Sequence, residues 1–151
     1  MSASRKVRRP VRIYITNIVR QMDSEEKTET TVAGVFYQDE GSYYLHYEEK
    51  ELTGIIRTVI KLSDKELLLL RSGAVNMRMH FLKDGKRSTA TIHSEAGKLI
   101  FESELISCQE IFAEEPVGFL KELAFQYDLL NTGEYIGSYS VLIGIEEESK
   151  E

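Results

Sequence analysis

The chain has 151 residues and a net charge of −6, with 42% hydrophobic and 29% charged side chains, the proportions of an ordinary globular domain with a substantial core. The acidic balance disfavours general nucleic-acid binding, which needs clustered Lys and Arg to neutralise phosphates. No apolar run approaches the roughly twenty residues that span a bilayer. The single cysteine, Cys108, excludes an internal disulfide and cannot by itself build a zinc cluster, which suits a reducing compartment and places the chain in the cytoplasm.

Residues 1–9 carry Arg5, Lys6, Arg8 and Arg9 with no acid before Asp23, and read as a basic arm without regular structure. No apolar stretch of a secretory signal follows. The Arg-rich, acid-poor start resembles an organellar transit segment, but Val11, Ile13 and Ile15 alternate like a structural strand. Residues 11–22 form a first strand, with Pro10 tolerable at its entrance. Asp23-Ser24-Glu25-Glu26 is a polar turn, and residues 28–37, rich in Thr and Val, form a second strand in which Gly34 marks a bulge or a tight bend. Asp39-Glu40-Gly41 closes a hairpin into the most regular part of the chain.

There the side chains alternate with period two, as strands require. Tyr43, Leu45 and Tyr47 oppose Tyr44, His46 and Glu48. After a break at residues 49–54, Ile56, Thr58, Ile60 and Leu62 oppose Arg57, Val59 and Lys61. Ser63-Asp64-Lys65 turns the chain. Leu67, Leu69 and Arg71 share the next phase, Ser72-Gly73 turns again, and Val75, Met77, Met79 and Phe81 oppose Asn76, Arg78 and His80. Asp84-Gly85 is the best single turn signal, suited to a type I′ hairpin with both centres at positive φ. Residues 87–93 follow, then Glu95-Ala96-Gly97, then residues 98–106 with Leu99, Phe101, Ser103 and Leu105 in phase. Residues 109–117 make the longest connection, a solvated loop or one helical turn. Residues 119–130 alternate through Leu123, Phe125, Tyr127 and Leu129. Asn131-Thr132-Gly133 turns, and Tyr139, Val141, Ile143 and Ile145 finish the chain.

About ten strands joined by short turns must be mostly antiparallel neighbours, because parallel crossovers need a dozen or more residues. Closure removes the exposed edges of such a meander, so an all-β up-and-down barrel is favoured over an open sandwich. The domain spans residues 10–146, with an acidic tail at 147–151. Ten strands leave room for an internal cavity.

The segment from Tyr47 to Phe81 resembles the YwiB family of uncharacterised bacterial proteins, found chiefly in Firmicutes. Tyr47, Glu48, Leu52, Gly54, Thr58, Lys61, Ser63, the run Arg71-Ser72-Gly73-Ala74-Val75, Met77 and Phe81 carry the likeness. It continues more loosely through Tyr127-Asp128 to the final Ile-rich strand. The resemblance implies a calycin-type, lipocalin-like β-barrel and no established activity, and it supplies no catalytic or binding residues.

Chemistry-bearing constellations are scattered. His46, His80 and His93 lie far apart in the polar phase of their strands, so they read as surface or rim residues, and neither metal nor haem is expected. There is no nucleophile elbow and no Gly-rich phosphate loop. Cys108 reads as a small buried hydrophobe. Adjacent carboxylates such as Glu48-Glu49 face opposite ways and make no acid/base pair. Arg71 is the odd residue, because it shares a phase with Leu67 and Leu69. Facing inward it would grip a carboxylate or phosphate near the barrel mouth. Otherwise it ties a turn to a carboxylate such as Glu48, and that structural role takes precedence because charged residues at strand ends are mostly solvated or paired. Tyr43, Tyr47, Met77, Met79 and Phe81 suit an adaptable pocket or an irregular core equally well.

The leading expectation is a non-enzymatic barrel binding a small, partly apolar or anionic ligand inside it. The candidate ligand-binding residues are Arg71, Tyr43, Tyr47, Thr58, Met77, Met79, Phe81 and Tyr127, with no cofactor. The alternative is an interaction module whose basic arm contacts RNA or an acidic partner. An enzyme ranks third.

Overall fold

The computed structural model describes residues 7–148. Among these, ten strands follow one another with no helix: β1 Arg9–Gln21, β2 Ser24–Asp39, β3 Ser42–Glu51, β4 Gly54–Leu62, β5 Glu66–Gly73, β6 Asn76–Leu82, β7 Ser88–Ser94, β8 Gly97–Phe112, β9 Leu120–Asn131 and β10 Glu134–Glu147. Each pairs antiparallel with its neighbours in sequence, and β1 pairs antiparallel with β10 to close the barrel. The up-and-down barrel expected from the turn spacing is the observed fold. Because strand direction alternates, the β1–β2, β3–β4, β5–β6, β7–β8 and β9–β10 turns share one end, called here the upper end. The remaining connections and the two chain ends lie at the lower end, and the seam between the first and last strands runs the length of the barrel.

The charged chain ends are part of the barrel rather than loose appendages. Arg9, expected in the arm, begins β1, and Glu147, expected in the tail, ends β10. Val11 stands opposite Glu147, and the ion pairs Arg9–Glu147 at 2.9 Å and Arg12–Glu148 at 3.4 Å cross the closing seam. Arg8 lies over the ring of Tyr37, 4.7 Å from its centroid. Opposite charges at the two ends thus meet where the barrel closes. Residues 1–6 of the expected arm and 149–151 of the expected tail lie outside the described residues.

Three local expectations are corrected. Asp84-Gly85 does not form a type I′ hairpin: the Gly85 N–H donates to the Leu82 carbonyl at 3.1 Å and only Gly85 has positive φ, at 83°. Lys83 explains the difference, since its N–H donates to the Lys65 carbonyl at 2.9 Å and its ammonium pairs with Glu110, which draws the chain into a longer connection. The type I′ signature occurs at Glu40-Gly41 and Thr132-Gly133, where both centres have positive φ. β8 runs past Ile106 to Phe112, because a bulge between Leu105 and Ser107 resets the alternation and turns Cys108 and Glu110 to the inner face opposite Phe125 and Leu123. Gly34 is no bulge, since its pairing with β1 and β3 is continuous. A β-carbon there would sit 2.4 Å from the His46 carbonyl oxygen and 2.5 Å from Ile13 Cδ1, so glycine is needed for close approach.

The interior is filled. Ile13, Leu62, Leu67, Phe81, Leu123 and Ile143 are among its fully buried side chains. Phe81 contacts the rings of Tyr127 at 4.6 Å and Phe125 at 5.9 Å between centroids. At the lower end Phe36 meets Phe119 edge-on at 5.2 Å, and Tyr43 meets Phe112 at 5.1 Å. The void between Phe36, Tyr43, Leu45, Ile60, Leu62, Leu120 and Leu123 measures about 10 Å³, room for about one water. The roomy central cavity expected from ten strands is absent from this part of the barrel, because inward aromatic rings occupy the width that the strand number creates.

Candidate functional site

One row of opposed inward residues runs around the barrel: Gly34, Tyr47, Thr58, Arg71, Met77, Ile92 and Leu99, each directly across from the next. Strand tilt carries this row from the core to the rim. Tyr47 is 6% exposed and Thr58 1%; Arg71, Met77 and Ile92 are half-buried, and Leu99 reaches 50% although it shares the inward phase. Half-buried Val32, Phe101 and Tyr139 pack beside them against the core. The upper mouth is therefore an open, largely apolar slope with one guanidinium on it.

Arg71 faces inward, as its phase with Leu67 and Leu69 implied. One terminal nitrogen donates to Glu49 Oε1 at 3.4 Å, and the two side chains keep 28% and 19% exposure. Its partner is Glu49 and not Glu48, which sits on the outer face paired with Arg57 at 3.0 Å. Arg71 Nε and Thr58 Oγ1 on the adjoining strand are buried and make no hydrogen bond of good geometry, although both side chains approach the Tyr47 hydroxyl between them.

Below them lie two phenols. Burial pushes the Tyr47 hydroxyl above its ordinary pKa, against the opposing pull of the Arg71 charge and of hydrogen bonds with Thr58 and Arg71. Burial raises Tyr127 strongly, helped by Tyr139 and again opposed by Arg71. Tyr127 donates to Met79 Sδ at 3.9 Å, and its ring stacks on Tyr139 at 5.0 Å. Both phenols stay protonated at neutral pH, so they offer hydrogen bonds and no base.

Of the residues singled out from the sequence, Arg71, Tyr47, Thr58 and Met77 come together at the mouth, with Met79 and Tyr127 beneath them. Tyr43 faces inward at the opposite end, among Phe36 and Phe112, and Phe81 lies deep in the core. Glu49 was missed because the preceding strand was ended one residue too soon. Its odd number, in phase with Leu45 and Tyr47, is the signal. Leu99 and Phe101 were in the correct phase, but nothing in alternation told how near the rim they stand.

Other candidates are weaker. A groove of about 540 Å³ on the outer face of β2 to β5 is lined by outward residues such as Ala33, Val35, His46, Glu48 and Arg57. His46 there shares a hydrogen bond with the Tyr37 hydroxyl at 3.0 Å. At the lower end Lys83 pairs with Glu110 beside half-buried Cys108, whose thiol is pushed up by burial and is therefore a poor nucleophile. Among the described residues no three His, Cys, Asp or Glu side chains group so as to hold a metal ion.

Comparison with known proteins agrees with this architecture. Residues 13–143 match the family model described as a domain of unknown function, DUF1934. The chain is similar to an uncharacterised β-barrel protein, YwiB, of Bacillus subtilis, at 28% identity over 106 residues that cover 70% of this chain and 74% of the relative. The crystal structure of the Bacillus subtilis ywiB protein superposes with a TM-score of 0.78 at 24% identity, covering 94% of each chain, and shows the same fold.

Proposed function

The chain belongs to the DUF1934 family of YwiB-like β-barrels, and from that premise we propose that it binds a small, partly apolar ligand with an anionic group at its upper mouth. The observation that supports this reading is the inward Arg71 guanidinium, 28% exposed and held by one 3.4 Å contact to Glu49, beside the apolar slope of Met77, Ile92 and Leu99. A guanidinium carries five N–H donors, more than one long contact to Glu49 uses, so its solvent-facing edge can take a ligand carboxylate or phosphate. The site lies at the mouth, because the barrel below is filled. We read the protein as a binder and not an enzyme, since Tyr47 and Tyr127 are held in the neutral form and the one thiol is deactivated. The single thiol also supports a cytoplasmic placement.

The experiment is a thermal melt of wild type and Arg71→Met with benzoate, hexanoate and phosphate. Ligand at about 100 times its Kd stabilises by roughly 2.7 kcal/mol, a shift that is readily seen. An upshift in wild type that vanishes in a variant of equal stability supports the site. The same upshift in both proteins places binding elsewhere. A basic arm gripping RNA or an acidic partner has less support, because Arg8, Arg9 and Arg12 are engaged with Tyr37, Glu147 and Glu148 of the same chain.

A further inference from the structure

Closure of the barrel leaves one long strand edge unpaired, and we infer that a second copy of this chain occupies it, the two β2 strands pairing antiparallel about a twofold axis at Thr28. β2 pairs with β1 from Ser24 to Phe36, but its pairing with β3 ends at Gly34 and Tyr47. Residues 24–33 therefore have a strand on one side only, and no other element makes more than passing contact with β2. The lower half of β8 is one-sided too, but the β6–β7 connection covers it, with Lys83 on Glu110 and Arg87 on Glu102 and Glu104. Among the described residues nothing covers the β2 edge in this way. An open row of backbone donors and acceptors is a template for another strand.

Alternation determines which groups that row presents. Gln21 and Ser24 close one two-residue turn, and Asp39 and Ser42 close the next. Even-numbered residues of β2 therefore hydrogen-bond to β1, and odd-numbered ones face the β3 side. Glu25, Lys27, Glu29 and Thr31 direct their N–H and C=O groups to the open edge, and their side chains share the outer face of the barrel. Glu25 is paired with Arg20 at 2.7 Å, whereas Lys27 and Glu29 have no ion-pair partner among the described residues.

The charges select one register. Centred on Thr28, an antiparallel pair sets Lys27 opposite the partner's Glu29 and Glu29 opposite the partner's Lys27, both at hydrogen-bonding positions. Glu26 then meets the partner's Thr30, and Glu25 meets the partner's Thr31. Centred on Lys27 or on Glu29 instead, the same edge brings like charges together. Opposite charges across a strand pair are favourable and like charges are not, and the twofold axis makes each pair occur twice. Residues 25–31 contain three threonines and no proline, which suits them to a strand pair. The same register carries the partner's hairpin tip toward Gly34. Its tip residue, Met22, is 99% exposed. At the fork where β2 leaves β3 lies the outer groove of about 540 Å³, whose lining includes Ala33, Val35 and Val59. The exposed methionine of each copy thus has an apolar seat on the other.

Sedimentation equilibrium of the full chain between about 5 and about 500 μM tests the inference, because a short edge-to-edge pairing belongs to the small, weak class of interfaces and should associate within that range. Lys27→Glu and Glu29→Lys, each checked at low concentration for an unchanged melt, should weaken the dimer about tenfold or more, since each turns two favourable cross-strand pairs into repulsive ones. The double variant Lys27→Glu/Glu29→Lys puts opposite charges back across the axis and should return the dissociation constant to within about threefold of wild type. A wild type that stays monomeric at every concentration overturns the inference and leaves the edge to a strand of another protein. A dimer that survives both single reversals, or that the double exchange fails to restore, overturns the β2 pairing.

Discussion

Replacing Arg71 by Met should leave the stability of the barrel almost unchanged. The substitution removes one 3.4 Å contact and leaves Glu49, 19% exposed, without its partner. Stranding a fully buried partner costs about 3–5 kcal/mol, but the long single contact and the residual solvation of both groups reduce that to about 1–2 kcal/mol. On the other side, the change eliminates a buried Nε that makes no hydrogen bond of good geometry, a relief of about 1–3 kcal/mol. Met also keeps much of the aliphatic stem over Tyr47 and Met77. The two terms cancel to within about 1 kcal/mol, which for a chain of this size is a shift of roughly 2–4 °C in Tm. Urea denaturation of wild type and variant, read at constant m, measures the difference directly. A loss above about 2 kcal/mol with unchanged m would refute the reasoning. It would mean that Arg71 is a structural tie whose Nε finds a partner in solution.

Gly34→Ala should cost about 3 kcal/mol or prevent folding, since the new methyl would lie 2.4 Å from the backbone oxygen of His46, which no rotamer change can relieve; a melt within about 2 °C of wild type would contradict the close approach. Phe81→Ala should cost about 3–5 kcal/mol, because the ring is fully buried and packed against Phe125 and Tyr127; a loss under about 1 kcal/mol by urea denaturation would show a core able to collapse around the deletion. Stability should also fall above about pH 10. Tyr47 and Tyr127 have raised folded-state pKa values, so their contribution is fully present below the unfolded value and is lost as pH rises past it. Tyrosinate absorbance followed together with circular dichroism should show at least two of the eight tyrosines ionising only as the barrel unfolds; all eight titrating with the barrel intact would contradict their burial.

Strand number, order and facing were legible because period-two alternation directly encodes which face a side chain occupies. From Tyr43 to Phe81 the strand phases hold, with Arg71 on the inward side, except that Val75 falls in the β5–β6 turn. What alternation does not encode is depth along the barrel axis. Phe81 and Met77 share a phase on one strand, yet Phe81 is fully buried and Met77 lines the opening. Tyr43 and Tyr47 are separated the same way, at opposite ends of the interior. Depth depends on strand tilt and stagger, which emerge only when all ten strands close. The bulge at Ile106 shows a second limit. One extra residue inverts the pattern, so β8 seemed to end where it only changed phase, and inward-facing Glu110 read as loop. Glu49 was lost for a simpler reason: its register with Ile56 is unbroken, but β3 was ended one residue before it.

The closed barrel also determines how the mouth behaves. At the lower end Phe36, Tyr43, Phe112 and Phe119 cover the interior and the seam is fastened by paired chain ends, so access is from above. The mouth itself is built on strands. Arg71 stands two residues before Gly73, whose φ of 101° and close approach to the Ile55 carbonyl fix the end of β5. The Ala74 N–H donates to that same carbonyl at 3.0 Å, holding the β5–β6 turn against β4. The guanidinium therefore projects from a backbone with little freedom, over a Thr58 that is itself immobilised by burial. A ligand reaching the exposed part of the guanidinium would find it already oriented and would lose little affinity to ordering the protein. Binding of that kind requires no strand to separate and no lid to close, which is what a barrel without long loops at its open end can provide.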